Sequence, residues 1–248
     1  MKLAVAAISD IGRIRHNNED MLAVKGEFVR DGSYTEEIEV AEKKFLIAVA
    51  DGMGGHNGGE LASEFVLQRM SAMAESLPPT ENDESLQMLL DQHIRQVHVA
   101  LNQLGKQNPG LKGLGSTFTG ILFHYGRLYL IHIGDSRLYR YRRQIIALLS
   151  KDHTLRNMLN DPSIPANKIA NCFGGGVDDI FFDFEALTDR LLDDDMLLLC
   201  SDGLSGELTD DEITQALTNN ADCAKLVQLA KERGGNDNIS LVMISVTS

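Results

Sequence analysis

Positive charge is scarce in this sequence. Its 23 lysine and arginine residues face 36 aspartate and glutamate residues, so the formal net charge is −13. Nucleic acids and anionic membrane surfaces are disfavoured as partners, because their phosphates are bound by basic grooves or patches. We therefore expect no nucleic-acid partner, and some of the many acidic residues are candidates for binding cations instead.

Long hydrophobic runs are also missing. No apolar stretch approaches the roughly 20 residues that cross a bilayer, so no membrane association is expected. The apolar run that starts at Leu3 is cut off by Ser9 and Asp10, which predicts a first strand rather than a signal peptide. Hydrophobic residues make up 43% of the chain and charged residues 24%, as in an average globular protein. The length fits a single domain over residues 1–248.

Cysteine is rare and widely spaced. Cys172, Cys200 and Cys223 form no Cys-X-X-Cys motif, so neither a zinc ribbon nor a redox pair is indicated. An odd number of cysteines without a signal peptide predicts reduced thiols and a cytoplasmic location. We expect each cysteine to be buried and structural.

Apolar spacing divides the chain into runs of strands and pairs of helices. Helices are predicted at residues 59–76, 83–105, 209–218 and 222–233. Strands are predicted at 3–9, 21–30, 44–50, 180–185, 195–201 and 239–246, with four consecutive antiparallel strands at 117–125, 127–133, 137–141 and 144–149. Polar residues 31–43 predict a hairpin excursion, and residues 150–178 predict a second excursion. This segregation predicts a layered α+β fold rather than a doubly wound parallel sheet.

Five aspartates stand beside apolar strands. They are Asp20, Asp51, Asp135, Asp202 and Asp237. One Asp-Gly pair alone would be an ordinary turn, but five acids in such positions are costly unless their charges are paired or bind cations. Mg²⁺ and Mn²⁺ prefer oxygen ligands. A carboxylate-rich site with two such ions suits phosphoryl hydrolysis, because the ions screen the phosphate and activate a water.

The stretch from Asp51 to Gly59 contains five glycines between a predicted strand and a predicted helix. Such a turn is either a flexible connection or a place where something approaches the main chain closely. A phosphate site also needs a cation, and Arg15 is the candidate, because its fork matches phosphate oxygens. Arg13 is the alternative, although it has the pattern of a solvated loop residue.

Seven motifs in this chain resemble those of the metal-dependent protein serine/threonine phosphatases, the PPM or type 2C family, and above all its compact bacterial members. They lie at residues 9–20, 49–56, 115–117, 132–137, 151–154, 201–204 and 235–240. Any one motif is weak evidence, but seven in the family's order are specific. The resemblance implies a four-layer α-β-β-α sandwich, in which two packed antiparallel sheets are flanked by helices.

The resemblance also implies two Mn²⁺ or Mg²⁺ ions and a weaker third ion. The implied ligands are Asp20, Asp51, Gly52 through its carbonyl, Asp135, Asp202 and Asp237. Asp51 would bridge the two ions, Asp20 would hold a metal-bound water, and Asp135 would share the third ion with Asp202.

Further residues are assigned by the same resemblance. Arg15 would bind the substrate phosphate, and Asn238 would orient a neighbouring water or carboxylate. Some family members have a histidine directly after the Asp-Gly pair, but Met53 stands there and His56 comes later. His56 is therefore expected behind the metal ligands or on the substrate side. Among the other histidines, His153 is expected to be structural, and His93 and His98 are expected on a helix surface.

The implied activity is hydrolysis of phosphoserine and phosphothreonine in proteins, by attack of a water bridging the metals. The expected partners are phosphorylated proteins and an opposing bacterial serine/threonine kinase, and the expected state is a monomer. The alternatives are a catalytically silent binding or regulatory module of the same fold and a small-phosphoester hydrolase. Compared with bacterial members, residues 155–176 form a shortened flap, which is expected to affect substrate preference rather than metal chemistry.

Overall fold

The computed structural model describes residues 2–40, 44–54 and 58–247. The first half contains strands β1 (Lys2–Asp10), β2 (Asp20–Val24), β3 (Glu27–Val29), β4 (Gly32–Glu39) and β5 (Lys44–Met53), then helices α1 (Gly58–Ser76) and α2 (Asp83–Gln107). Strands β6 (Gly115–Ser116), β7 (Phe118–His124), β8 (Arg127–Ile133), β9 (Arg137–Arg142) and β10 (Ile145–Leu148) follow. The last part contains α3 (Leu155–Leu159), β11 (Phe173–Gly174), β12 (Asp183–Ala186), β13 (Met196–Cys200), α4 (Asp202–Ser205), α5 (Asp210–Thr218), α6 (Cys223–Arg233) and β14 (Ile239–Thr247).

The strands form two sheets. The first sheet has the order β10-β9-β13-β14-β1-β4, and the second has the order β11-β6-β5-β7-β8-β12, with β2 paired to β5 and β3 to β2. The paired strands run antiparallel. The predicted layered α+β fold with two antiparallel sheets is confirmed.

Three apolar layers hold the sandwich together. One lies between the two sheets, one between the second sheet and α1 and α2, and one between the first sheet and α4 to α6. Strand β5 contributes to two of them, because alternate side chains point to opposite faces of a sheet. Phe45, Ile47 and Val49 face the other sheet, whereas Leu46 and Ala48 face the helices. Its continuous apolar sequence is therefore the signature of a strand that is covered on both sides.

The helix starts agree with the predictions because side chains cap them. The Asn82 side chain accepts a hydrogen bond from the Ser85 amide at the start of α2, and the Asp222 side chain caps α6 in the same way. Thr209 and Glu212 form a reciprocal capping box at α5, which satisfies amides that would otherwise lack partners. No helix in the described part of the chain combines the length and apolarity that a bilayer crossing requires.

The four strands predicted as one consecutive antiparallel run are divided between the sheets. Strand β8 lies in the second sheet, whereas β9 lies in the first, where it pairs with β10 and β13. The chain crosses at Gly134, whose φ is +109° and where a Cβ would lie 2.7 Å from the Thr117 side chain. Only glycine suits that conformation and that space. Tight spacing in the sequence therefore marked a crossing between layers, not a hairpin.

Two predicted loop segments also differ. Residues 32–39 are not an excursion but the edge strand β4, paired along β1 from Gly32 opposite Ser9 to Glu39 opposite Lys2. Its sequence is polar because only Ile38 is fully buried there, and edge strands commonly carry charge. The predicted strand at 21–30 is the hairpin β2–β3, turned by Lys25 and Gly26 with φ of 52° and 91°.

His98 is buried rather than on the helix surface, so that prediction is wrong. Its Nδ1 accepts a hydrogen bond of 3.2 Å from the Gly174 amide, and its Nε2 donates to the Val177 carbonyl over 3.0 Å. The returning end of the flap packs on α2 at this position, which the helix periodicity alone could not reveal. The three cysteines are buried free thiols, as predicted.

Candidate metal centre

The centre of the acidic site is a pair of aspartates on adjacent strands of the second sheet. Asp20 on β2 lies directly opposite Asp51 on β5, and like charges facing each other across a strand pair repel. Burial, as the largest cause, together with the charges of Asp202 and Asp237, raises the pKa of Asp20 to about 8. The pKa of Asp51 is also raised well above its usual value. Burial is the largest cause, and the charge of Asp20 is the second largest. Two carboxylates in this position need a proton or a cation.

The first sheet supplies two more aspartates. Asp202 is the first residue of α4, two residues after the end of β13, and Asp237 lies two residues before β14. Ser201, between β13 and α4, donates a hydrogen bond of 2.7 Å from Oγ to Asp20 Oδ2. This bond joins the ends of the two sheets. The pKa of Asp202 is raised, mainly by burial and secondly by the charge of Asp237.

Asp135 completes the acidic cluster. It directly follows Gly134, where the chain crosses between the sheets. Asp135 is 6% exposed, and its pKa is raised to about 7. Burial is the largest cause, and the charges of Asp202 and Asp152 come next. The Oδ1 atoms of Asp135 and Asp202 are both buried without a hydrogen-bond partner among the described residues. Buried polar atoms without partners are rare, and carboxylate oxygens of this kind fit a hard divalent cation.

Gly52 lies against the start of α1. A Cβ at this position would lie 1.9 Å from the Gly59 carbonyl oxygen and 2.7 Å from the Glu19 carbonyl oxygen. The Gly52 amide also donates to Glu19 over 3.1 Å. The absence of a side chain is therefore required by close packing of three backbone segments at the Asp51 end of β5.

Arg15 reaches the cluster from the loop after β1. Its Nη2 donates to Asp237 Oδ2 over 2.6 Å, and its side chain is 46% exposed. A charged fork that is bonded to one carboxylate and still open to solvent can bind an anion at the rim of the site.

Asn238 fixes the loop that carries Arg15 and leads into Asp20 at the start of β2. Its Nδ2 donates to the carbonyls of Ile11 and Asn17, each over 3.0 Å, and its Oδ1 accepts from the Glu19 amide over 2.8 Å. The described contacts of this side chain are thus with the backbone, and the predicted orientation of a water or carboxylate stays a prediction.

Sequence reasoning missed two residues that hold the same loop. Arg13 is not simply solvated: its amide donates to the Gly235 carbonyl over 2.8 Å, and its Nη1 donates to the Lys231 carbonyl over 3.2 Å in the last turn of α6. The Glu19 carboxylate packs against the start of α1, where a Cβ on Gly59 would lie 2.5 Å from its Oε1. In the sequence, Glu19 is signalled only by its place beside Asp20.

The structure brings most of the predicted site residues together. The charges of Asp20, Asp202, Asp135 and Asp237 all act on Asp51, and Arg15 contacts Asp237. His56 lies in residues 55–57, outside the described part of the chain, so its role stays a prediction.

A sequence model of the protein phosphatase 2C family matches residues 23–239. The chain belongs to this family. Its resemblance to the PPM phosphatases is thereby confirmed.

Relatives within the protein phosphatase 2C family agree with the assignment. The chain is 33% identical over 258 residues to the serine/threonine protein phosphatase PstP of Mycobacterium tuberculosis (strain ATCC 25618 / H37Rv), covering 98% of this chain and 45% of that protein. The chain therefore spans less than half the length of this relative. A solved structure of the S. agalactiae serine/threonine phosphatase matches with a TM-score of 0.81 and 27% identity, over 98% of this chain and 99% of that one.

A second solved structure bears on the chemistry of the family. The catalytic domain of PstP in complex with 2 manganese ions matches with a TM-score of 0.76 and 31% identity, over 100% of both chains. The four-layer sandwich predicted for this chain is thus the fold of characterised family members.

Proposed function

We propose that this chain is a Mn²⁺- or Mg²⁺-dependent phosphatase that hydrolyses phosphoserine and phosphothreonine in proteins. The observation that carries the proposal is the pair of buried, unpartnered oxygens on Asp135 and Asp202, next to the facing Asp20 and Asp51. Family membership and the manganese-bound relative support the same reading.

The donor set fits hard cations. The candidate ligands are carboxylates, with the Gly52 carbonyl, and neither cysteine nor histidine enters the set described above; Mg²⁺ and Mn²⁺ prefer such oxygen donors. Asp51 would bind both principal ions, Asp20, Asp202 and Asp237 would complete their surroundings, and Asp135 would hold a third ion with Asp202. Bound divalent ions supply charge neutralisation and an activated water for attack on phosphorus.

The protein's own side chains then position the substrate. Arg15 would bind two phosphate oxygens with its fork, an interaction that lysine cannot reproduce. Asp237 orients Arg15 through the bond of 2.6 Å. The Asn238 side chain bonds to the Asn17 carbonyl and the Arg13 amide bonds to the Gly235 carbonyl. These bonds hold the Arg15 loop, so the guanidinium does not have to be ordered when the phosphate arrives.

The partners that we propose follow from this chemistry. Phosphorylated proteins are the substrates, and a serine/threonine kinase opposes the reaction. We further propose a monomer made of one domain over residues 1–248, acting in the cytoplasm. A silent binding module is disfavoured, because such a module needs none of the ligands and this chain has every predicted ligand aspartate.

The proposal is tested by phosphate release from a phosphothreonine peptide with Mn²⁺, with Mg²⁺ and with EDTA. Metal-dependent release that EDTA abolishes is expected. A parallel assay with para-nitrophenyl phosphate separates the second candidate, since a small-phosphoester hydrolase would cleave this compound and leave the peptide intact. A folded protein that binds Mn²⁺ but cleaves neither compound would support the silent module instead.

A further inference from the structure

A cluster of titratable side chains lies outside the acidic site. Ring nitrogens of His132 and His153 and a carboxylate oxygen of Asp183 lie within 4.8 Å of one another. These nitrogens already have protein partners. His132 contacts Thr119 Oγ1 over 2.9 Å through Nδ1 and the Lys151 carbonyl over 3.0 Å through Nε2. The cluster is therefore a hydrogen-bonded network, and we do not assign a metal ion to it.

Burial favours the neutral form of the His153 ring, and the hydrogen-bond partners of the ring fix its tautomer. Burial lowers the pKa of His153, and it lowers the pKa of His132 to about 4. A neutral imidazole has one donor and one acceptor nitrogen. In His153, Nε2 donates to Asp183 Oδ2 over 3.2 Å. Nδ1 is then the acceptor, and the two groups that point at it are both N–H donors.

One of these donors belongs to the residue before Asp135. The Gly134 amide donates to His153 Nδ1 over 3.3 Å, and the Gly134 carbonyl accepts from the His153 amide over 2.6 Å. Both the amide and the carbonyl of Gly134 thus form hydrogen bonds with His153. Gly134 is the point where the chain crosses between the sheets, so this pair of bonds sets the place from which Asp135 leaves the backbone.

The other donor belongs to the end of the flap. Asn171 Nδ2 donates to His153 Nδ1 over 2.9 Å and to the Phe181 carbonyl over 2.7 Å. The Ala170 amide donates to the His153 carbonyl over 2.8 Å. His153 therefore lies between the returning flap and the Gly134–Asp135 turn, and contacts both through the same ring nitrogen.

We propose that His153 is a positioning residue for Asp135, which holds the Gly134 turn so that the Asp135 carboxylate faces Asp202, and which couples this turn to the flap through Asn171. The proposal rests on the proposed function, because it concerns cation binding at Asp135. Losing the Nδ1 acceptor would leave a buried amide without a partner, and the turn would relax to satisfy it.

The experiment compares two substitutions of His153 that differ in which nitrogen they replace. In His153→Asn, the amide oxygen can stand where Nδ1 accepts from Gly134. In His153→Gln, the longer side chain reaches the Asp183 side and leaves the Gly134 amide unpartnered. Mn²⁺ binding is measured by calorimetry on both variants, with Asp135→Asn as the reference for loss of the third ion. His124→Gln is the matched control, since His124 is buried and bonds to the Pro78 carbonyl.

The weaker Mn²⁺ binding event is expected to weaken roughly tenfold in His153→Gln, in the range typical of residues that orient metal ligands. His153→Asn is expected to restore most of that affinity, and the tighter binding events are expected to stay unchanged. Equal loss in both variants, or no loss in His153→Gln, would overturn the positioning role while leaving the phosphatase proposal intact. Absence of any Mn²⁺ binding by the unaltered protein would overturn both.

A second measurement covers the case in which His153→Gln does not fold. In the unaltered protein, the Gly134 amide and the His153 ring resonances are followed by NMR during Mg²⁺ titration. They are expected to shift with the weaker binding step and to stay fixed in Asp135→Asn. Resonances that do not respond to that step would contradict the proposal.

Discussion

Arg15 and Asp237 form a hydrogen-bonded ion pair of 2.6 Å that joins the loop after β1 to the residues before β14. The other carboxylate oxygen of Asp237 accepts from the Asn238 amide over 2.9 Å. The candidate phosphate-binding side chain is thus oriented by a candidate metal ligand, which is itself oriented by the chain that follows it. Phosphate binding and metal binding share one structural element.

Substitution of Arg15 should therefore affect substrate binding more than folding. We expect Arg15→Ala and Arg15→Lys to raise KM for a phosphothreonine peptide by roughly tenfold or more, because one lost charged hydrogen bond is worth about 1.5–3 kcal/mol. The melting temperature should change little, since the side chains of the pair are 46% and 36% exposed and ion pairs open to solvent contribute little. Steady-state kinetics and thermal denaturation measure the two effects. An unchanged KM with a reduced kcat would mean that Arg15 acts only in the transition state.

Arg13 should act on the same binding step from a distance. In Arg13→Ala, the bond from Arg13 to the Lys231 carbonyl is lost, and with it one attachment of the Arg15 loop to α6. We expect KM to rise about two- to fivefold, which is less than the increase expected from loss of a whole charged hydrogen bond to the substrate. Arg95→Ala is the control, because Arg95 pairs with Asp91 one turn away on the surface of α2. Equal kinetics of the two variants would show that Arg13 does not position the loop.

Gly52 should tolerate no side chain. We expect Gly52→Ala to destabilise the protein by about 1–3 kcal/mol or more, as overpacking does, and to weaken Mn²⁺ binding, because the clash is with the backbone of Gly59. Gly110→Ala is the matched control, since a Cβ there would have no atom of the described residues within 4 Å. Chemical denaturation and Mn²⁺ calorimetry test the pair. A Gly52→Ala protein as stable and as competent in binding as Gly110→Ala would contradict the packing argument.

The stability of the metal-free protein should fall as pH rises. In the folded chain the pKa of Asp20 is raised from 3.8 to about 8, so between these values the native state binds more protons than the unfolded state. The free energy of unfolding then decreases with pH across this window. Melting temperatures in EDTA at pH 5.5, 7 and 8.5 are expected to decline, and less steeply in Asp20→Asn.

Added Mn²⁺ should reverse that trend, because cation binding requires the ionised carboxylates and releases their protons. Mn²⁺ affinity is accordingly expected to increase towards pH 8. A melting temperature in EDTA that declines with pH as steeply in Asp20→Asn as in the unaltered protein, or that does not decline in the unaltered protein, would contradict the raised pKa.

The sequence was sufficient for the features that depend on local patterns. The aspartates beside apolar strands could be recognised because each lies within a few residues of its strand, and helices such as α5 could be recognised from their apolar spacing. The capping box of Thr209 and Glu212 at the start of α5 is also formed by neighbouring residues. The fold class followed from the segregation of strands and helices. These signals are all carried by neighbouring residues.

Features that depend on distant contacts could not be predicted in this way. The contacts of Arg13 are with residues more than two hundred positions away in the chain, and His98 is buried where the returning flap packs on α2. The crossing at Gly134 was mistaken for a hairpin because a tight turn has the same composition whether the next strand pairs with the last one or joins the other sheet. In each case, tertiary packing determines the role of the residue, and the neighbouring sequence carries no signal of it.

The central claim is that these aspartates hold the cations for phosphoester hydrolysis, and Asp202→Asn tests it most directly. Asp202 has a buried oxygen without a partner among the described residues, and asparagine keeps its shape while removing the charge. We predict that Asp202→Asn folds, binds Mn²⁺ more weakly by calorimetry, and loses nearly all Mn²⁺-dependent phosphate release from a phosphothreonine peptide. A folded Asp202→Asn protein with undiminished Mn²⁺ binding and hydrolysis would contradict the account.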